Sequence, residues 1–307
     1  MQENLIIRPL GTLEEYLRCA EFQEEIWGEG FSEKVPSAIL MIANRLGGLT
    51  AGAFDEDGEL QGFVFGLTGV LDGVLVHWSD MLGVRSGLRD MGLGTRLKAY
   101  QREILLGRGV EEMRWTFDPL QGRNAYVNFS KLGIISLEYV ENMYGQTDSP
   151  LHRGVGTDRL IATWRMGSER VAARLAGGAQ GPSLDEWNHV PRALGSGDGR
   201  DLPEPGEPDL SLEGPFLLTA IPADIDDVMA RDMGLAVRWR EATRRVFAHY
   251  VGRGYVVREF LRGEGVSFYL LADAEPADMT DSAYPGGGRA GSGQSDFTGD
   301  TSGELDP

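Results

Sequence analysis

The sequence predicts a mixed α/β fold: a sheet with antiparallel hairpins early and one strand–helix–strand crossover in the middle. Three observations predict it. The apolar runs "LTAGAFD" and "LQGFVFGLTGV" are joined by Asp55-Glu56-Asp57-Gly58, a hairpin-type turn. Leu93, Leu97, Tyr100 and Ile104 recur at spacings of four, three and four, which marks an amphipathic helix lying between two apolar strands. Strands and helices do not alternate strictly, which excludes a doubly wound sheet or a closed barrel.

In chain order, residues 4–9 ("NLIIRP") read as a strand. Residues 12–27 read as a helix through Leu13, Tyr16, Leu17, Ala20 and Ile26. After the first hairpin, "VLVHWSDMLGV" is a further strand, followed by the helix from Leu93. "EEMRWTFD" is the next strand, residues 121–131 form a short helix, and "IISLEYVENMY" and "RLIATWRM" are two last strands. Residues 1–175 make up this first domain. Residues 176–213 are rich in Gly, Pro and acids and read as a linker. Residues 214–273 read as a smaller β-α-β-β unit with one long helix over about 223–252. Its face of Val228, Leu235, Trp239, Val246 and Tyr250 is too large for the unit to bury alone. It is expected to pack on the first domain or on a second chain, which leaves room for a homodimer. Residues 274–307 are Gly/Ser/Asp-rich and read as a disordered acidic tail.

The chain has 307 residues and a net charge of -18, which disfavours nucleic acid and anionic membranes and suits an amine partner. A single cysteine, Cys19, excludes a disulfide framework and points to a reducing compartment. No segment approaches the roughly 20 apolar residues that cross a bilayer. The start has no basic region leading into an apolar run. A cytoplasmic protein is expected. The four histidines are scattered, so no metal site is expected.

The stretch "RDMGLGTRL" (residues 89–97) carries the functional signal. Gly87 and Gly92 have the spacing of a Walker loop, but Leu93-Gly94 stands where Lys-Ser/Thr is required. Gly92-x-Gly94 followed by Leu97 misses the dinucleotide fingerprint, and three strands precede it. A third reading, Arg/Gln-x-x-Gly-x-Gly/Ala, is met by Arg89, Gly92 and Gly94. There the glycines let consecutive backbone N–H groups turn toward one anion, and the following helix adds its positive end. The alternative is a glycine turn that only starts a helix.

With the strand "HWSDMLGVRS" before this turn, the strand "MRWTFDP" after it, and the helix ending "NFSKLGI", residues 4–166 resemble the GNAT superfamily of acyl-CoA-dependent N-acyltransferases. The segments "TFDPLQGRNAYVNFSKLG", "DRLIATW" and "DMGLAVRWREATRRVFAHYVGRGYVV" resemble one branch of it, in which an extra domain follows the acyltransferase core. The resemblance implies a sheet splayed between its fourth and fifth strands, with the pantetheine of acetyl-CoA or another acyl-CoA in the opening. Backbone groups of Leu82, Gly83 and Val84 would pair with it. The amides of Arg89, Asp90, Met91, Gly92, Leu93 and Gly94 would take the pyrophosphate, with Thr95 and Arg96 nearby.

A small-molecule amine, such as an amino acid, would then attack the thioester of an acetyl or larger acyl group, for example succinyl. His77 and Asp80 are the base candidates. Separated by an odd count, they face opposite sides of a regular strand, so at most one points into the site unless a bulge intervenes. His77 has the more suitable free pKa, whereas Asp80 matches the carboxylates of many family members. Each also reads as an ordinary surface acid or core histidine. Asp118, before Pro119, is a third candidate and equally a turn and helix cap. The tyrosine that usually protonates the thiolate is replaced by Phe129, which cannot donate a proton. Tyr126 and Tyr144 are substitutes, or are packing aromatics. Asn124 and Asn128, four apart, would share a helical face toward the coenzyme or acceptor, near Lys131. Arg123 would meet a substrate carboxylate or only solvent. Asp158-Arg159 reads as an ion pair at a strand start or as part of the acceptor pocket. The replacement at Phe129 keeps a second class in view: a module that binds coenzyme A or a nucleotide without turnover and meets a partner through its C-terminal domain.

Overall fold

The structure is a computed structural model that describes residues 5–89, 91–145, 154–177, 181–197 and 201–273. The acidic tail and Asp90 lie outside them. The first elements are β1 (Ile6–Pro9), α1 (Leu13–Trp27), α2 (Ser37–Arg45), β2 (Leu49–Phe54), β3 (Leu60–Leu71) and β4 (Val74–Val84). They are followed by α3 (Leu93–Leu106), β5 (Glu112–Phe117), α4 (Gly122–Ala125), β6 (Ile135–Val140), β7 (Arg159–Arg165), α5 (Glu169–Leu175) and α6 (Leu184–Trp187). The chain continues with β8 (Arg192–Leu194), β9 (Ser196–Gly197), β10 (Glu204–Pro205), β11 (Phe216–Pro222), α7 (Ile225–Arg231), α8 (Met233–Gly252), β12 (Tyr255–Leu261) and β13 (Val266–Asp273). The predicted order of the first domain is thus recovered, with α5 added after β7.

Local chemistry sets the boundaries. Thr12 caps α1 in a reciprocal capping box with Glu15. The helix expected over 223–252 is two helices, because Asp232 takes an extended backbone and its side chain accepts the N–H of Leu235, which starts a new helix there. The helix expected over 121–131 is α-helical only to Ala125. From Tyr126 to Leu132 it widens to i→i+5 bonding, and it ends at Gly133 in the left-handed conformation.

The sheet has eleven strands in the order β1-β2-β3-β4-β5-β7-β6-β12-β13-β11-β8. The pairings are antiparallel except β4 with β5 and β8 with β11, which are parallel. α1 and α2 cover one side of β3 and β4 through Tyr16, Phe22, Leu40 and Phe63, which pack with Met81. α3 covers the other side through Leu93 and Leu97, which pack with Leu82 and Val84.

The C-terminal elements continue the same sheet. β12 pairs beside β6 at Val257 and Ser136. Tyr269 of β13 packs edge-on against Phe129. Arg170 and Arg174 of α5 clasp Glu259 of β12 at 2.7 and 3.0 Å. The expected packing of this unit on the first domain is therefore realised within one chain, and residues up to Asp273 form one compact unit. The stretch read as a linker contributes to it. β8 pairs with β11, and Val190, Ala193 and Leu194 are buried. Its strands are only two or three residues long, too short to show a period of two, and its glycines and prolines mark the turns between them.

Candidate active site

Parallel pairing of β4 with β5 runs from Val76 opposite Glu112 to Trp78 opposite Arg114 and stops there. Beyond it, residues 79–84 and 115–117 have no ladder between them, so the two strands part in the middle of the sheet. β4 is also bulged at this point. Phe65 pairs with Met81 and Gly66 with Ser79, which leaves Asp80 as the extra residue. The bulge reverses the alternation of faces. His77 and Ser79 point to α3, and past the bulge so do Leu82 and Val84, while Met81 joins the α1–α2 side.

This separates the two base candidates. His77 is fully buried beneath α3. Its Nδ1 lies 2.9 Å from Thr68 Oγ1 and its Nε2 lies 2.9 Å from Gln101 Nε2. Burial, the largest cause, pushes its pKa down to about 3. It is a neutral histidine with both nitrogens engaged. The ring passes so close to β3 that a Cβ on Gly66 would lie 2.3 Å from Nε2, so position 66 must be glycine. Asp80 instead keeps an exposed side chain with no hydrogen bond or ion pair among the described residues. The surrounding protein, and secondarily Glu33 in the loop after α1, raise its carboxyl above the ordinary range.

The glycine turn leads directly from the opening into α3. Gly92 is the residue before the helix, with φ of 82° in the left-handed region, and among the described residues no side chain caps the first turn. The N–H groups at the start of α3 are therefore not used by a cap. A Cβ at Gly94 would make ordinary contact with Leu82 at 3.5 Å, so the turn requires glycine at 92 and only accommodates it at 94. Arg89 is exposed, with its Nε 3.5 Å from the Val84 carbonyl. Arg96 turns away and donates to the Leu5 carbonyl at 3.0 Å. Thr95 is half-buried and Met91 exposed.

On the α3 side of the opening stand Met113, Trp115 and Phe117, and Phe129 is packed edge-on against Phe117. Phe129 is held as core between Phe117 and Tyr269. Asn128 is buried and its Oδ1 accepts from Trp115 Nε1 at 3.3 Å, whereas Asn124 is exposed. The shared face expected of these two amides is lost because the helix widens between them. Tyr126 faces the C-terminal strands, its ring flanked by Lys131 at 5.4 Å and Arg262 at 5.0 Å, which places it with cations of β12's end rather than at the opening. Arg123 is exposed.

On the opposite side, Thr116 of β5 meets the Tyr144 hydroxyl at 3.0 Å. The Arg159 guanidinium lies 5.3 Å from the Tyr144 ring centroid and 3.8 Å from Asp118. Asp118 also caps its own turn by accepting the N–H of Leu120 at 2.8 Å, as the turn reading foresaw. Arg240 of α8 reaches the same carboxylate at 2.6 Å and the Val155 carbonyl at 2.9 Å, while its Nη1 is buried with no hydrogen-bond partner among the described residues. Asp158 and Arg159 have separate tasks. Asp158 accepts from Tyr139, Arg244 and the Asn142 backbone. Burial alone would raise it, but Arg244 and Tyr139 hold it below the usual carboxylate range.

Sequence reasoning missed Lys98, Gln101 and Arg240. The first two share a helical face with Gly94 and Leu105 at spacings of three and four. Arg240 falls between apolar Ala236 and Phe247 on the covered face of α8, a polar residue on an otherwise buried stripe.

No family model and no curated protein matches the chain. Among solved structures, the ribosomal-protein alanine N-acetyltransferase of Escherichia coli is 16% identical, over 53% of this chain and 94% of that one, with a TM-score of 0.42. An acetyltransferase of the GNAT family from Streptococcus pneumoniae is 16% identical, over 52% and 98%, at 0.42. A Salmonella typhimurium protein solved with its cofactor acetyl-CoA is 15% identical, over 54% and 96%, at 0.42. These are likenesses over about half of this chain.

Proposed function

We propose that the protein is an acyl-CoA-dependent N-acyltransferase that acts on a small amine carrying a carboxylate, such as an amino acid. One observation carries the proposal: β4 and β5 part beside a bulge, and the gap leads into a left-handed glycine turn at the uncapped start of a 14-residue helix. A gap in mid-sheet leaves the backbone N–H and C=O groups of Leu82 and Val84 turned away from β3, while those of Gly83 pair with Phe63, which suits an extended amide-bearing chain such as pantetheine beside them. The N–H groups of Leu93, Gly94 and Thr95 suit its pyrophosphate without a metal.

The thioester supplies the activated acyl group. Asp80, free of partners and raised above the ordinary carboxylate range, would take the proton of the incoming ammonium. The acceptor's carboxylate would meet the cations across the gap's outer side. There, Arg159 and Arg240 both reach Asp118, and Arg240 Nη1 has no hydrogen-bond partner among the described residues. The described residues include no helix long and apolar enough to cross a membrane.

Calorimetry with acetyl-CoA, succinyl-CoA and free coenzyme A tests the coenzyme half of the proposal. No binding by any of them at about 1 mM, the weakest useful affinity, sinks it. A thiol-release assay over paired amines with and without a carboxylate tests the acceptor half. Binding without release on any amine would favour the non-catalytic module that the buried Phe129 brings into view.

A further inference from the structure

The α3 side of the gap contains a buried amine. Lys98 is 6% exposed, and its Nζ lies 2.8 Å from Ser79 Oγ, 3.7 Å from Met113 Sδ and 3.8 Å from the Trp115 ring centroid. Ser79 and Trp115 are the first residues of β4 and β5 after pairing stops, so the amine sits at the apex of the opening. Among the described residues no carboxylate pairs with it. An isolated ammonium taken out of water costs several kcal/mol, and the position would pack well with methionine or leucine, so packing does not account for a lysine here.

The hydrogen bonds around it run one way. Lys98 donates to Ser79, Ser79 donates to Gln101 Oε1 at 3.1 Å, and the Gln101 amide faces His77 Nε2. His77 then meets Thr68, whose hydroxyl donates to the Gly47 carbonyl at 2.9 Å. Every acceptor near Lys98 is thus occupied, and the neighbouring titratable group, His77, is held neutral. Ser79 accepts one N–H of the amine, and its lone pair has no donor among the described residues. Burial holds the Lys98 pKa well below its usual value, which favours the amine over the ammonium. Phe129, on the same side of the sheet and packed against Phe117, cannot itself carry a proton.

We propose that Lys98 carries the proton from the attacking nitrogen to the leaving sulfur. The inference rests on the acyltransferase reading of the gap. Asp80 or water first removes one proton from the acceptor's ammonium on the outer side. The neutral nitrogen then forms its bond to the acyl carbon and becomes cationic. Lys98 takes the proton that this nitrogen sheds. The carbon–sulfur bond breaks, the sulfur keeps the electron pair, and the Lys98 ammonium returns the same proton to it. Amide and free thiol result, and Lys98 is again neutral. No other reactant is needed.

The test is Lys98→Met in the full chain, with Lys98→Gln as a second variant that donates but cannot carry a proton. The expected result is a fall in kcat of about 100-fold or more in both, the usual scale of a lost proton-transfer group, with coenzyme A affinity within about twofold of wild type. The Tm of Lys98→Met is expected to stay level or rise, since a buried amine gives way to an apolar side chain of similar volume. Turnover near wild type in a folded Lys98→Met protein overturns the inference. So does loss of fold in both variants, which would assign the lysine to the architecture. If the wild type itself neither binds coenzyme A nor releases thiol, the acyltransferase reading fails instead, which the wild-type titration reports separately.

Discussion

The two faces of the gap between β4 and β5 differ in almost every respect, although both are lined by the same two strands. On the α3 side, His77, Ser79, Lys98 and Gln101 are buried and bond to one another. On the outer side, Asp80 is exposed and unbonded among the described residues, Tyr144 is 47% exposed, and Arg159 and Arg240 both reach Asp118. Low dielectric suppresses charge on the first face, whereas water and partner ions sustain it on the second. A group's position relative to the bulge therefore decides its chemistry more than its residue type does. The histidine, with the better free pKa for a base, is the one disabled by burial.

The comparison breaks first at Asp80. Asp80→Asn is expected to lower kcat by roughly 10²- to 10⁴-fold, read by thiol release, with coenzyme affinity unchanged. Because its folded pKa is raised, the basic form is lost on acidification at a higher pH than for an ordinary carboxylate. The acid limb of kcat/KM should be displaced upward accordingly, and it should disappear in the variant. If Asp80→Asn keeps the rate, the outer face is not where the amine is deprotonated.

Gly92→Val is expected next to weaken coenzyme A binding by roughly 100-fold in calorimetry. Forcing a β-branched residue to positive φ costs about 1–2 kcal/mol and moves the cradle's N–H groups. Unchanged affinity would show that the turn only starts the helix.

Arg240→Met sharpens the electrostatic part of the contrast. It should raise KM for carboxylate-bearing amines about tenfold and leave their decarboxylated counterparts unaffected, the scale of a lost charge-assisted hydrogen bond. An equal loss on both amines would make Arg240 a tether of α8 to Asp118 and nothing more.

The smallest effect on turnover is expected at His77. His77→Gln should leave kcat close to wild type and change stability instead. The folded pKa of about 3 lies below the 6.5 of a free histidine, so the neutral ring's contribution is complete above pH 6.5 and is lost as pH falls toward 3. Wild-type unfolding free energy should carry a slope of roughly 1.4 kcal/mol per pH unit across that window, and the variant should lack it. Denaturant titration at several pH values reads this directly.

The fold was largely legible because its signals are local. Spacing of Leu93, Leu97, Tyr100 and Ile104 gives α3, and Asp55 to Gly58 gives the β2–β3 hairpin. The site was legible only in part. The parity of His77 and Asp80 predicted opposite faces, but which face is dry depends on α3, and the bulge at Asp80 depends on pairing with β3. Asn124 and Asn128 were placed together by α-helical spacing and separated by a widened turn that no short-range pattern announces. Arg240 lies 122 positions from Asp118 in the chain, beyond the reach of any periodicity.

By itself the sequence determined the order of elements and the glycine turn with its helix, because these follow from side-chain period and backbone freedom within a few residues. Only the tertiary structure decided that a stretch rich in glycine and proline closes the sheet through β8. It also decided that Asp80, not His77, faces solvent, that Lys98 is buried at the apex of the gap, and that α8 brings a second guanidinium to Asp118. Each of these turns on burial or on a partner distant in sequence, and neither is encoded in the spacing of neighbouring residues.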